Sequence, residues 1–147
     1  MPATKVLVID DEAAIRLLCR VNLEAEDIEV LEAADGGTGL ELARAERPDA
    51  VLLDVMMPRL DGWRVAEGLL ADAATSDIPI IFLTARAEFR DRARGLGIGG
   101  VDYITKPFNP IELASLVREL VDRVERGERD ELRQEKLEQL KALAEEA

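Results

Sequence analysis

Residues 50–58 read Ala50-Val51-Leu52-Leu53-Asp54-Val55-Met56-Met57-Pro58. An unbroken apolar run that does not alternate with polar residues is the pattern of a strand buried on both faces. Here an acid stands where the run stops. Working outward, four more short runs flank this one: Lys5-Val6-Leu7-Val8-Ile9, Glu29-Val30-Leu31-Glu32-Ala33, Ile78-Pro79-Ile80-Ile81-Phe82-Leu83 and Asp102-Tyr103-Ile104. Segments of helical period separate them. Ile15, Leu18, Cys19 and Leu23 share one face of a helix over about 12–25, and Leu40 and Ala43 mark a second helix ending near Pro48. Val65, Ala66 and Leu69 mark a third, residues 87–97 a weaker fourth with Gly95 and Gly97 near its end, and Leu113, Leu116, Val117, Leu120, Val121 and Val124 a strong fifth. Strand and helix alternate five times, and each connection is long enough for a right-handed crossover. The expected fold class is therefore α/β, a doubly wound (βα)₅ sandwich with a parallel sheet between two helical layers.

Cap signals agree with these boundaries. Thr38 with Glu41 forms a capping-box pattern, with Asp35 as a competing N-cap. Asp61-Gly62 suits a turn into the third helix, and Asn109, Pro110 and Glu112 supply a cap, a proline at the first helical position and an early acid.

The composition narrows the function. The chain has 147 residues, enough for one domain and an appendage, and 48% are hydrophobic while 3% are aromatic, so aliphatic side chains must fill the core. A net charge of −12 argues against a nucleic-acid partner for this chain and against anionic membrane surfaces. Cys19 is the sole cysteine, which removes intrachain disulfides. The sequence contains no histidine, so triads, His-ligated metals and phosphohistidine on this chain are excluded. The first apolar run, Val6–Ile9, is too short for a signal peptide or a membrane span, and a cytoplasmic protein is expected.

In open α/β sheets, ligands bind beyond the carboxyl ends of the strands. Those ends carry Asp10-Asp11-Glu12, Asp54, Thr84-Ala85 and Thr105-Lys106-Pro107. Several carboxylates in one pocket repel unless a cation joins them, and a hard ion such as Mg²⁺, which takes oxygen ligands, fits such a set. Lysine can hold a phosphoryl oxygen as a point charge, and a carboxylate among these groups can attack phosphorus to form an acyl phosphate.

Over about residues 4–125 these motifs, in this order, resemble the CheY-like receiver domain of the two-component response regulators. The resemblance implies a flavodoxin-like sheet in the order 2-1-3-4-5. It implies that Asp10 and Asp11 bind Mg²⁺ with Asp54 and the backbone carbonyl of Met56, and that Asp54 is the phosphoacceptor. Pro58 and Asp61-Gly62 match the loop that follows that acid. Thr84, with its small neighbour Ala85, matches the switch hydroxyl, and Lys106-Pro107-Phe108 matches the family's lysine and cis-proline bond. Tyr103 matches the aromatic switch. The implied partner is a sensor histidine kinase or phosphotransfer protein, and the implied chemistry is limited to the domain's own phosphorylation and dephosphorylation. The family's response remodels the face made by the fourth helix, fifth strand and fifth helix. In winged-helix members that face dimerises through cross-paired charges. Arg92, Glu112, Asp102 and Arg123 lie near matching positions, whereas Leu116 and Val101 depart from the pattern. Arg86 borders the pocket, Trp63 is expected to pack rather than bind, and Cys19 to be buried and inert.

The expected division is a receiver over 1–125 and a charged helical extension over 126–147. In the extension Leu132, Leu137, Leu140 and Leu143 form a narrow stripe that a monomer would leave exposed, which predicts homodimerisation or partner docking. An alternative is the receiver of a longer DNA-binding regulator or output enzyme. A pseudo-receiver is disfavoured by the intact Asp10, Asp11, Asp54, Thr84 and Lys106. A hydrolase of the haloacid-dehalogenase type is disfavoured because its nucleophile usually sits on the first strand.

Overall fold

The computed structural model describes residues 4–85 and 89–146. The chain runs β1 (Lys5–Ile9), α1 (Ala13–Glu24), β2 (Glu29–Ala33), α2 (Gly36–Glu46), β3 (Ala50–Asp54), α3 (Gly62–Ala71), β4 (Ile80–Thr84), α4 (Phe89–Ile98), β5 (Asp102–Thr105), a 3₁₀ turn (Pro110–Glu112), α5 (Leu113–Glu125) and α6 (Arg129–Glu146). All five strands are parallel, in the order β2-β1-β3-β4-β5. The order reverses at β1, so the ends of β1 and β3 lie side by side at the switch point.

Strand alternation divides the core into two layers. Val6, Val8, Leu52, Ile81 and Leu83 face α1 and α5 and pack with Cys19, Leu23, Val117 and Leu120. Leu7, Ile9, Val51, Leu53, Ile80 and Phe82 face the other way, onto Ala43, Val65, Ala66 and Leu69 of α2 and α3. β3 is buried along its whole length, as its continuous apolar run requires. Trp63 packs on Phe82 with ring centroids 5.1 Å apart, and Arg94 stacks on its outer face.

Three boundaries differ from the sequence reading. α2 is capped by Asp35, whose carboxylate accepts from the Thr38 backbone N–H at 2.8 Å and the Thr38 hydroxyl at 3.1 Å, so Thr38 lies inside the helix instead of heading a capping box. β4 begins at Ile80, after Pro79, whose carbonyl still accepts from Val51 N at 3.0 Å although a proline has no N–H to give the ladder. The fifth helix is preceded by a 3₁₀ turn, with Asn109 accepting from Ile111 N as the expected cap.

The tail changes the picture most. α5 ends in a Schellman motif: Gly127 N donates to Val124 O, Glu128 N donates to Arg123 O, and Gly127 takes φ +80. The chain reverses there, and α6 lies back across α4, β5 and α5. Leu132 and Leu140 are buried, Leu137 is half-buried and Leu143 is exposed. The expectation that a monomer leaves the leucine stripe exposed is therefore corrected, because the domain covers most of it itself. Three of the four candidate cross-pairing charges also have partners within the chain. Arg123 pairs with Glu135 and Glu128, Asp102 with Lys136, and Arg92 with the Thr105 hydroxyl.

Candidate functional site

β1 and β3 end level with each other, Ile9 opposite Leu53, so the next residues of β1 and the last of β3 emerge together. Asp10, Asp11 and Asp54 each place a carboxylate oxygen within 4.8 Å of the others. Asp10 and Asp54 are buried, while Asp11 is exposed at the mouth. β5 adds the cation. Lys106 Nζ sits 2.9 Å from Asp10 Oδ2, 3.4 Å from Asp54 Oδ1 and 3.7 Å from Glu12 Oε1. The backbone joins in: Glu12 N donates to Asp10 Oδ1 at 2.9 Å and Met56 N to Asp54 Oδ1 at 3.2 Å.

Thr84 is buried at the end of β4, one step beyond the Leu83 that pairs with Asp54, and its carbonyl accepts from Lys106 N at 2.7 Å. Tyr103 sits farther back on β5, half-buried, with the Arg92 guanidinium 4.8 Å from its ring centroid. The Lys106–Pro107 bond is cis. Arg86 lies outside the described residues.

The electrostatics follow from this geometry. Burial, then the Asp10 carboxylate, pushes Asp54 up to about 7, against the opposing pull of Lys106. Burial by itself would lower Lys106, but its hydrogen bond to Asp10 and the charges of Asp54, Asp10 and Glu12 outweigh that, leaving its ammonium held above the usual range. One lysine thus stands among two buried acids, Asp10 and Asp54, and two exposed ones, Asp11 and Glu12. That excess of negative charge, all on oxygen, suits a divalent hard cation. Cys19, by contrast, is buried and its thiol is pushed up to about 12 by burial and by Asp10, which fits an inert core residue.

Two residues support the site beyond what the sequence reading assigned: one that it did not single out, and one, Gly62, that it read only as part of a turn. Arg16 Nη1 donates to the Asp10 carbonyl at 2.8 Å, and its Nε lies 3.3 Å from Glu32 on the neighbouring strand, bracing the loop that carries the acids. The pairing depends on the β1–β2 register, which no local motif encodes. Gly62 is the second. A Cβ there would stand 2.3 Å from the Asp54 carbonyl oxygen, so α3 can approach the end of β3 only at a glycine. The Asp61-Gly62 turn was the visible signal.

A doubly wound parallel sheet with acids and a lysine converging at its switch point defines a class of domain whose candidate site lies at the carboxyl ends of its strands. Comparison with known proteins places the chain within that class. The family model for the response regulator receiver domain matches residues 6–118. Among curated relatives, a probable transcriptional regulator, ycf27, of Porphyridium aerugineum is 44% identical over 127 residues, covering 86% of this chain and 52% of that protein. The DNA-binding dual master transcriptional regulator RpaA of Synechocystis is 41% identical over 122 residues, covering 83% and 51%. The chain spans about half the length of the curated relatives it matches. Among solved structures, a CheY-like receiver domain protein from Methanospirillum hungatei superposes with a TM-score of 0.79 at 28% identity, covering 86% of this chain and 99% of that one. The chain belongs to the response regulator receiver family of two-component signalling.

Proposed function

We propose that this receiver accepts a phosphoryl group on Asp54 from the phosphohistidine of a sensor kinase or phosphotransfer protein, in the cytoplasm and with Mg²⁺ bound at Asp10, Asp11, Asp54 and the Met56 carbonyl. The observation that carries this reading is the convergence of Asp10, Asp11 and Asp54 on one point, with Lys106 alongside. Bound Mg²⁺ would neutralise charge on the oxygens of the transferring group. An ionised Asp54 oxygen attacks phosphorus. A new O–P bond forms as the donor's N–P bond breaks, and the electron pair leaves with the imidazole nitrogen. Lys106 holds a phosphoryl oxygen as a point charge and the Thr84 hydroxyl donates to another. Engagement of Thr84 then shifts the balance between two conformations in which Tyr103 is differently placed. Hydrolysis of the acyl phosphate by water releases inorganic phosphate and resets the site.

Intact mass after incubation with Mg²⁺ and acetyl phosphate tests the proposal. The expected result is one added phosphoryl group, abolished by chelating Mg²⁺ and absent from Asp54→Asn. Unchanged mass in the folded wild type would overturn it.

The relatives' names and lengths favour a second reading of the whole: the chain as the receiver portion of a DNA-binding regulator. Determining the size of the protein expressed from the native gene decides between them. A product about twice this length supports the second reading.

A further inference from the structure

We infer that α6 is a displaceable cover over the face made by α4, β5 and α5, and that a phosphoryl group on Asp54 loosens it. The inference rests on the phosphoacceptor reading given above.

The inner side of α6 is built to match what it covers. Arg129, Leu132, Arg133, Lys136 and Leu140 recur at helical spacing along one stripe. Leu132 joins the apolar cluster that contains Val101, Leu120 and Val121, and Leu140 is buried as well. Between them Lys136 Nζ reaches Asp102 Oδ2 at 3.4 Å, Arg133 donates to the Gly99 carbonyl at 3.3 Å, and Arg129 donates to the Asp77 carbonyl. Asp102 is buried, and among the described residues Lys136 is its ion-pair partner. The outward side carries Asp130, Glu131, Gln134 and Glu138. Cations and leucines therefore face the domain, joined by Glu135, which pairs with Arg123 of α5, while Asp130, Glu131 and Glu138 face water.

This closure is weak enough to be regulated. Only two leucines of an 18-residue, highly charged helix are fully buried, and a helix of that composition has little stability apart from its packing. Its root is a single turn at Gly127, where an added Cβ would meet nothing within 4 Å. Lifting α6 about that turn breaks no strand pairing.

The covered elements are also those that touch the site. β5 has four residues, so Asp102 beneath α6 and Lys106 at the acids are about 13 Å apart along one short strand. Lys106 is tied by its side chain to Asp10 and Asp54 and by its backbone to Thr84. Arg92 of α4 binds the Thr105 hydroxyl at 3.0 Å and stacks on Tyr103, fastening α4 to the same strand. Phosphorylation replaces the single charge of ionised Asp54 with nearly two on the phosphoryl oxygens and redistributes Lys106, now shared among Asp10, Asp54 and Glu12. Any resulting movement of β5 and α4 alters the seat of Asp102 and Gly99, on which α6 rests. α6 is then the two-state element, docked or lifted, whose balance the site biases.

Hydrogen exchange on the full chain, with intact mass measured on the same samples, tests this. Where mass shows phosphorylation, peptides within 129–143 should exchange about tenfold faster than in untreated protein, while peptides from β1 and β2 stay unchanged. Gly127→Ala gives the reciprocal measurement. Alanine disfavours φ +80 and favours a continuous helix, so the variant should bind beryllofluoride, a phosphoryl mimic, with Mg²⁺ more tightly by a similar factor. Full phosphorylation with unchanged protection of α6 would overturn the inference, as would unaltered beryllofluoride affinity in a Gly127→Ala protein whose α6 exchanges freely. Absence of both phosphorylation and beryllofluoride binding would overturn the phosphoacceptor reading and the coupling with it.

Discussion

At the scale of single residues, the site stores electrostatic repulsion that can be measured. Asp54 is held near 7, above the ordinary carboxylate value of 3.8, by burial and by Asp10. The folded state therefore retains a proton that the unfolded state loses between pH 3.8 and about 7. This contribution is fully present below pH 3.8 and is lost as pH rises through about 7, so in metal-free protein ionised Asp54 lowers stability at neutral pH. Asp54→Asn should raise the stability of metal-free protein by on the order of 2 kcal/mol at pH 8, and the gain should vanish near pH 4; denaturant unfolding at the two pH values checks this. Lys106→Ala should act in the opposite sense, costing about 3 kcal/mol because it leaves Asp10 and Asp54 without their cation, and it should slow phosphorylation by acetyl phosphate. The acids, Thr84 and Lys106 were legible in the sequence because strand ends in a doubly wound fold converge on one edge. Arg16 was not, because its partner Glu32 is contributed by register between strands and not by spacing along the chain.

At the scale of elements, glycines separate the tight joints from the loose ones. Gly62→Ala would drive a Cβ to 2.3 Å from the Asp54 carbonyl oxygen and 2.7 Å from Val55 Cα, both backbone atoms that cannot step aside. It should destabilise the fold by about 3 kcal/mol and move α3 relative to the acid cluster. Gly97→Ala, inside α4 with open space around the added methyl, should stabilise by about 0.5–1 kcal/mol. Thermal unfolding of the two variants, side by side, tests both signs. The same scale shows where sequence reading fell short. The five strands and five helices follow from continuous apolar runs and helical periods, which are local. The direction of α6 is not local. The leucine stripe and Gly127 announced a helix after a break, but the return of that helix onto its own domain depends on Lys136 meeting Asp102 and Arg133 meeting the Gly99 carbonyl across the fold. The capping of α2 turned on a similar competition, settled by Asp35 because its carboxylate reaches both the N–H and the hydroxyl of Thr38.

At the scale of the whole molecule, metal binding and stability are linked. An ion that relieves the acid cluster binds the folded chain and not the unfolded one, so Mg²⁺ at about a hundred times its dissociation constant should add about 2.7 kcal/mol, with chelation reversing the gain. A melting temperature unaffected by Mg²⁺ would contradict the proposed metal site. Among the described residues no helix is long and apolar enough to cross a membrane. Cys19, the one sulfhydryl of the chain, is buried on the inner side of α1 and its thiol is pushed up to about 12. A thiol reagent at neutral pH can reach it only when α1 lifts away from the sheet. The rate at which native protein takes up such a label is therefore an intrinsic clock for opening of the domain, readable with no engineered reporter, and an exposed cysteine introduced elsewhere would label long before that clock advances.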